Sequence, residues 1–319
     1  MRVYGSDAIR NVAFVGHGGS GKTTLVDALA FVSGASRRHG NIKDGTTLTD
    51  YTPDEIARQH SISLGLAYAE WMDTKLNLLD TPGYLDFFGE VVTGLHAADA
   101  AVVVVSGVSG VEVGTEKAWE VCDRLHLPRL IFVGQMDKEH ANFERVFADV
   151  KAHLSPKVLP VEVPIGEGST FRGIVNLFSG KSHIYKPGTK SGEYDEVEVP
   201  AEHQAEVKKY SDLLIETVAA TDDALIERYL GGEEIPREEV IAALKTAVVA
   251  GSIVPLFVGS ATLTFGMRAL LTKMVEIFPA AADVPPPVDA PLLGRVFKTT
   301  SEPHVGDVTL FRLYAGTLK

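Results

Sequence analysis

Along this chain, short dense apolar runs alternate with stretches whose apolar positions recur every three or four residues. The run Asn11-Val-Ala-Phe-Val15 predicts a strand, and Leu25, Val26, Leu29 and Val32 after it mark one face of a helix that ends near Gly34. Residues 37–60 are polar and turn-rich, which predicts a mobile loop, and Ser61-Ile-Ser-Leu-Gly-Leu-Ala-Tyr68 then alternates with the period of a strand. Further apolar runs at 75–79, 100–105 and 129–133 follow, with a helix containing Trp119 and Leu125 before the last of them. Short, nearly all-apolar strands separated by helices predict an α/β fold, a mostly parallel doubly wound sheet covered on both faces. The run at 253–259 supplies its last strand and the helix over 267–278 closes it.

Residues 163–250 break this rhythm. Ile174-Val-Asn-Leu177 and the helical patterns over 210–230 and 238–249 predict an inserted α+β subdomain, so that the sheet domain is split into 1–162 and 251–283. Val284-Pro-Pro-Pro-Val288 reads as a stiff linker, and 294–317 as strands too few to close a barrel. Residues 284–319 are therefore expected to be a linker and the truncated start of a β-barrel domain, the chain being the N-terminal part of a longer protein.

The chemistry begins at Gly16-His-Gly-Gly-Ser-Gly-Lys-Thr23, which fits the phosphate-loop pattern G-x-x-x-x-G-K-[ST] between a strand and a helix. A glycine-rich turn opening a helix aims successive N–H groups at one point, where the helix dipole also favours an anion. His17, Gly18, Gly19, Ser20, Gly21 and Thr24 would line the phosphates, Lys22 would reach the β- and γ-phosphates, and Thr23 would hold Mg²⁺. Asp80, ending another strand, is placed to accept from a metal-bound water, while the Gly83 N–H can meet a γ-phosphate. If so, a γ-phosphate should order the 37–60 loop. Asp137 can accept two N–H bonds from a guanine edge, or else cap a helix. Ser260 and Ala261 would bring a backbone N–H to the guanine oxygen, or form an ordinary loop.

Composition narrows the context. The 319 residues carry a net charge of −12, which argues against a DNA-binding surface, and a 45% apolar share without any run long enough to span a membrane. A single cysteine leaves no internal disulfide framework, and the ten histidines show no metal spacing, so a reducing cytoplasm and no metal beyond Mg²⁺ are expected.

Phe132-Val-Gly-Gln-Met-Asp-Lys-Glu-His-Ala-Asn-Phe143, Tyr194-Asp-Glu-Val-Glu-Val-Pro200, Val254-Pro-Leu-Phe-Val-Gly-Ser-Ala261 and Val296-Phe-Lys-Thr-Thr-Ser-Glu-Pro-His-Val-Gly306 resemble segments of translational GTPases, most closely the elongation factor G family. The resemblance covers essentially the whole chain. It implies a factor that hydrolyses GTP to GDP and phosphate on the ribosome, contacting large-subunit RNA and stalk proteins. It places Tyr84 where the family has its water-orienting His, Ser63 at the Mg²⁺-binding switch Thr, Gly19 at a loop Asp, and Gly134-Gln135-Met136-Asp137 at the Asn-Lys-x-Asp guanine motif. Tyr84 also motivates an alternative, a GTP-binding regulatory protein with little hydrolysis, and Gly134 with Gln135 a scaffold whose pocket has decayed.

Overall fold

The computed structural model describes residues 2–318 apart from Pro187, Lys190, Pro303 and His304, so part of the Val296-to-Gly306 segment lies outside the described residues. Its strands are β1 (Ile9–Val15), β2 (Gly65–Trp71), β3 (Thr74–Asp80), β4 (Ala100–Ser106), β5 (Arg129–Gly134), β6 (Val158–Pro160), β7 (Glu162–Ile165), β8 (Gly173–Asn176), β9 (Lys181–Tyr185), β10 (Tyr194–Glu198), β11 (Val254–Val258), β12 (Leu293–Glu302) and β13 (Gly306–Ala315). The α-helices are α1 (Lys22–Val32), α2 (Pro53–Arg58), α3 (Phe88–Ala97), α4 (Val113–Arg124), α5 (Phe143–His153), α6 (Gln204–Ala219), α7 (Asp223–Leu230), α8 (Arg237–Val249) and α9 (Met267–Ile277).

Seven strands form the main sheet in the order β2-β3-β1-β4-β5-β11-β6. Every pairing is parallel except β2 with β3, which share the antiparallel edge. All residues of β4 are buried, as a central strand covered by helices on both faces requires. Phe14, Phe132, Phe257 and Leu29 are fully buried around it, each worth about 2 kcal/mol in apolar area removed from water. The strand order places the C-terminal ends of β1, β3, β4, β5 and β11 along one rim, where doubly wound sheets take their ligands. Between β6 and β11 the chain builds a second, antiparallel sheet, β10-β9-β8-β7, and helices α6 to α8.

The fold departs from the periodicity in identifiable places. The strand expected from Ser61 starts at Gly65, because the N–H groups of Ile62 and Ser63 donate to Glu55 and that of Leu64 to Glu90, which leaves them no ladder to join. The 37–60 stretch is largely exposed but holds ordered local structure. Thr52 and Glu55 form a capping box at the start of α2, and Thr47, Thr49, Asp50 and Glu55 are buried. The 210–230 helix is two helices, because Asp222 caps α7 with two side-chain bonds. β12 and β13 pair as a hairpin against α3 and its C-terminal end: Arg312 meets Asp99 and the Ala97 carbonyl, and the Tyr314 hydroxyl donates to His96 O at 2.9 Å.

Candidate functional site

The loop from Gly16 to Gly21 leaves β1 and enters α1 with φ of 145° at Gly16, 81° at Gly19 and 97° at Gly21. A side chain on Gly16 would meet the Val104 carbonyl of β4 at 2.3 Å, so the loop lies directly on the neighbouring strand. Lys22 curls beneath it, donating to the carbonyls of Gly16 at 3.0 Å and His17 at 2.8 Å. The ammonium is buried, and that desolvation lowers its pKa to about 8 although Asp80 and Asp50 oppose the shift. The side chain of His17 faces away from the loop's interior: its Nδ1 accepts from Gly114 N at 3.1 Å and its Nε2 lies 3.5 Å from Glu112. Its backbone carbonyl, and not its ring, meets Lys22. Ser20 Oγ is buried with no protein partner, and Thr24 lines the cavities on both sides of Gly21.

Under this loop lies a cluster of oxygens. Thr23 Oγ1 is 3.0 Å from Ser61 Oγ, and Asp80 accepts from Thr49 Oγ1 at 2.6 Å. Burial raises Asp80 to about 7, with the Thr49 hydrogen bond the largest opposing cause, and it also raises Asp50. Both carboxylates are buried, with the Thr23 hydroxyl also facing Asp80 and the Ser61 hydroxyl facing Asp50. Buried carboxylates beside paired hydroxyls are the donor set of a hard, oxygen-seeking cation such as Mg²⁺. A buried ammonium beside buried carboxylates suits a site that takes an anion and a cation together. Ser63 is not in this cluster. Its hydroxyl lies 3.3 Å from Lys298 of β12, and the hydroxyl beside Thr23 is that of Ser61, two residues earlier.

Gly83 and Tyr84 close the phosphate end. A Cβ on Gly83 would lie 2.4 Å from Lys22 Nζ and 2.6 Å from Gly18 N, so the two loops touch backbone to backbone. Tyr84 covers Gly18: a Cβ there would lie 3.1 Å from its Cζ. The ring also packs on His60, with centroids 4.6 Å apart. These residues line a cavity of about 150 Å³ together with Lys22, Thr23, Asp50 and Ser61.

The adjoining cavity, about 120 Å³, is lined by Ser20, Thr24, Phe132, Gln135, Asp137 and Ala261. Asp137 does not cap a helix, since Asn142 caps α5 by accepting from Arg145 N at 2.8 Å. Instead its Oδ1 is buried and unpartnered at this cavity. Gln135 bridges, with its amide nitrogen donating to Gly19 O at 2.9 Å and its Oε1 accepting from Ser106 at 2.7 Å. Its amide thus braces the phosphate loop against β4. The Ser260 N–H is committed to Phe265 O, so the amide available at the cavity is that of Ala261. A larger groove of about 750 Å³ between α1 and the second sheet holds none of these groups.

A family profile described as the elongation factor Tu GTP binding domain matches residues 7–280, which include both cavities. The chain belongs to that family. Within it the chain is elongation factor G-like: it is 33% identical to elongation factor G 2 of Syntrophomonas wolfei subsp. wolfei, over 99% of this chain and 48% of that protein. A crystal structure of a Thermus thermophilus protein superposes with a TM-score of 0.90 at 39% identity, over 99% of this chain and 46% of that one. The chain thus spans about half the length of these relatives. In this GTP-binding domain, the sequence reading missed Thr49, Asp50, His60, Ser61 and Ser106. Two hydroxyls two residues apart, Ser61 and Ser63, have the same local signature, and only the Glu55 and Lys298 contacts separate them. The capping box Thr52-x-x-Glu55 was the legible signal that the loop around them is built.

Proposed function

We infer that the chain binds GTP with Mg²⁺ and, as part of a ribosome-associated factor in the cytoplasm, hydrolyses it to GDP and phosphate. The observation that carries the guanine reading is the buried Asp137 oxygen without a partner, at a cavity that opens beside the phosphate loop. A carboxylate there accepts from the N–H groups of guanine, and adenine offers no matching pair. Ala261 supplies the amide for the guanine oxygen. Lys22 and the loop amides take the phosphates, and the Gly83 N–H takes the γ-phosphate, with Tyr84 packed behind it. Thr23, Ser61 and Asp80 would hold Mg²⁺, directly or through water, and the ion's charge offsets that of the phosphates. The elongation factor G likeness supports the ribosome as partner, through large-subunit RNA, with the acidic stretches over 202–216, mostly α6, and 233–239, the loop into α8, available to basic stalk proteins.

Calorimetry with GTP, GDP and ATP tests the guanine reading. GTP and GDP should bind far more tightly than ATP, and Asp137→Asn should cost the guanine nucleotides about 1–3 kcal/mol, because one accepting oxygen becomes a donor. Equal affinities for GTP and ATP would refute it. Phosphate release measured with and without ribosomes tests the rest, with a ribosome-stimulated rate expected. A rate that ribosomes leave unchanged would remove the ribosome from the reading, and no release under either condition would favour a binding protein that does not hydrolyse.

A further inference from the structure

The phosphate-side cavity contains an imidazole that the reaction described so far does not use. His60 stands immediately after Gln59, which ends α2 in a left-handed conformation with φ of 56°. That turn brings His60 to the cavity lined by Lys22, Thr23, Gly83 and Tyr84, next to Ser61, whose hydroxyl touches Thr23. Its ring is held on two sides, by Tyr84 with centroids 4.6 Å apart and by Phe87 at 6.4 Å. Its Nδ1 lies 3.0 Å from the Arg58 carbonyl. A carbonyl only accepts, so Nδ1 carries the proton in that bond, and in the neutral ring Nε2 is the nitrogen with a free lone pair. Among the described residues Nε2 has no hydrogen-bond partner.

Tyr84 is poorly suited to the same task. The phenol end of its ring lies against Gly18, so its position is set by the phosphate loop, and it serves as the surface on which His60 rests. We propose that His60 is the residue that positions the attacking water at the γ-phosphate, its Nε2 accepting a hydrogen bond from that water, and that Tyr84 fixes the imidazole in place. This rests on the hydrolysis reading above and adds the group that orients the nucleophile. Orientation of a nucleophile is a large part of phosphoryl-transfer catalysis, because the protein contributes positioning and electrostatics in place of covalent chemistry.

The test compares the parent protein with His60→Ala and His60→Gln, in single-turnover hydrolysis of Mg·GTP with and without ribosomes, alongside GTP affinity and melting temperature. His60→Ala should slow the chemical step by a factor on the order of 10², while the dissociation constant for GTP stays within about threefold. His60→Gln, which keeps an acceptor on a side chain of similar reach, should recover part of the rate. A His60→Ala protein that melts and binds GTP like the parent and hydrolyses at the parent rate would overturn the proposal, even where ribosomes still stimulate that rate. Equal losses in rate and GTP affinity, with no recovery by Gln, would overturn it too, as a packing role. If ribosomes fail to stimulate the parent, the hydrolysis reading loses its ribosomal part, and the unstimulated rates still decide for or against His60. A parent that shows no turnover under either condition would overturn both.

Discussion

Replacing Gly83 by alanine should separate the two phosphate-binding loops while leaving the fold in place. The added Cβ would lie 2.4 Å from Lys22 Nζ, 2.6 Å from Gly18 N and 2.7 Å from Gly18 Cα, where ordinary contact begins near 3.4 Å. The ammonium can swing aside, but two of the three atoms are backbone of a loop already pinned against Val104. A displacement of about 0.7–1 Å between the loops is therefore required, and forced overpacking of this size costs about 1–3 kcal/mol. The cost falls on the γ-phosphate, because the shift moves the Gly83 N–H and the Lys22 head group from one another. Calorimetry should show a non-hydrolysable GTP analogue losing about 10- to 100-fold in affinity, with GDP losing markedly less. Gly19→Ala is the control, since a Cβ there meets nothing within 4 Å and only the φ of 81° is unfavourable, at about 1 kcal/mol. Equal losses of GDP and GTP analogue in Gly83→Ala, or no loss of either, would refute the backbone-contact argument.

Two further predictions concern stability. Glu162 is fully buried, and that burial raises its pKa from 4.5 to about 8 against the opposing Val258 backbone contact. The folded chain then holds a proton that the unfolded chain releases, so this group makes stability fall as pH rises from about 4.5 to about 8. Glu162→Gln removes that dependence, and its melting temperature should exceed the parent's at pH 8 with the gap closing toward pH 4.5; a gap independent of pH would count against it. Arg312→Met should destabilise by about 3–5 kcal/mol in denaturant unfolding, because it strips the cation from Asp99, whose side chain is 1% exposed. A loss below about 1 kcal/mol would place that pair among exposed ion pairs.

Local sequence determined the parts of this protein whose physics is local. The all-apolar runs of β1, β4, β5 and β11 can only be strands buried on both faces, and the glycine spacing from Gly16 to Gly21 permits the backbone that opens α1 toward a phosphate. Asp80 and Asp137 were legible because each stands at or just after the end of such a strand. Tertiary structure decided what depends on distant partners. Ser61 and Ser63 look alike in sequence, and it is Glu55, Glu90 and Lys298, reaching in from a helix, another helix and a distant strand, that turn one toward Thr23 and the other away. Gln135 stands at the guanine motif by resemblance, and only the fold shows Gly19 and Ser106 engaging both ends of its amide. His60 in a polar stretch carried no pattern at all. Its environment is made by Tyr84 and Phe87, more than twenty residues away in the chain, and a contact at that separation leaves no trace in periodicity.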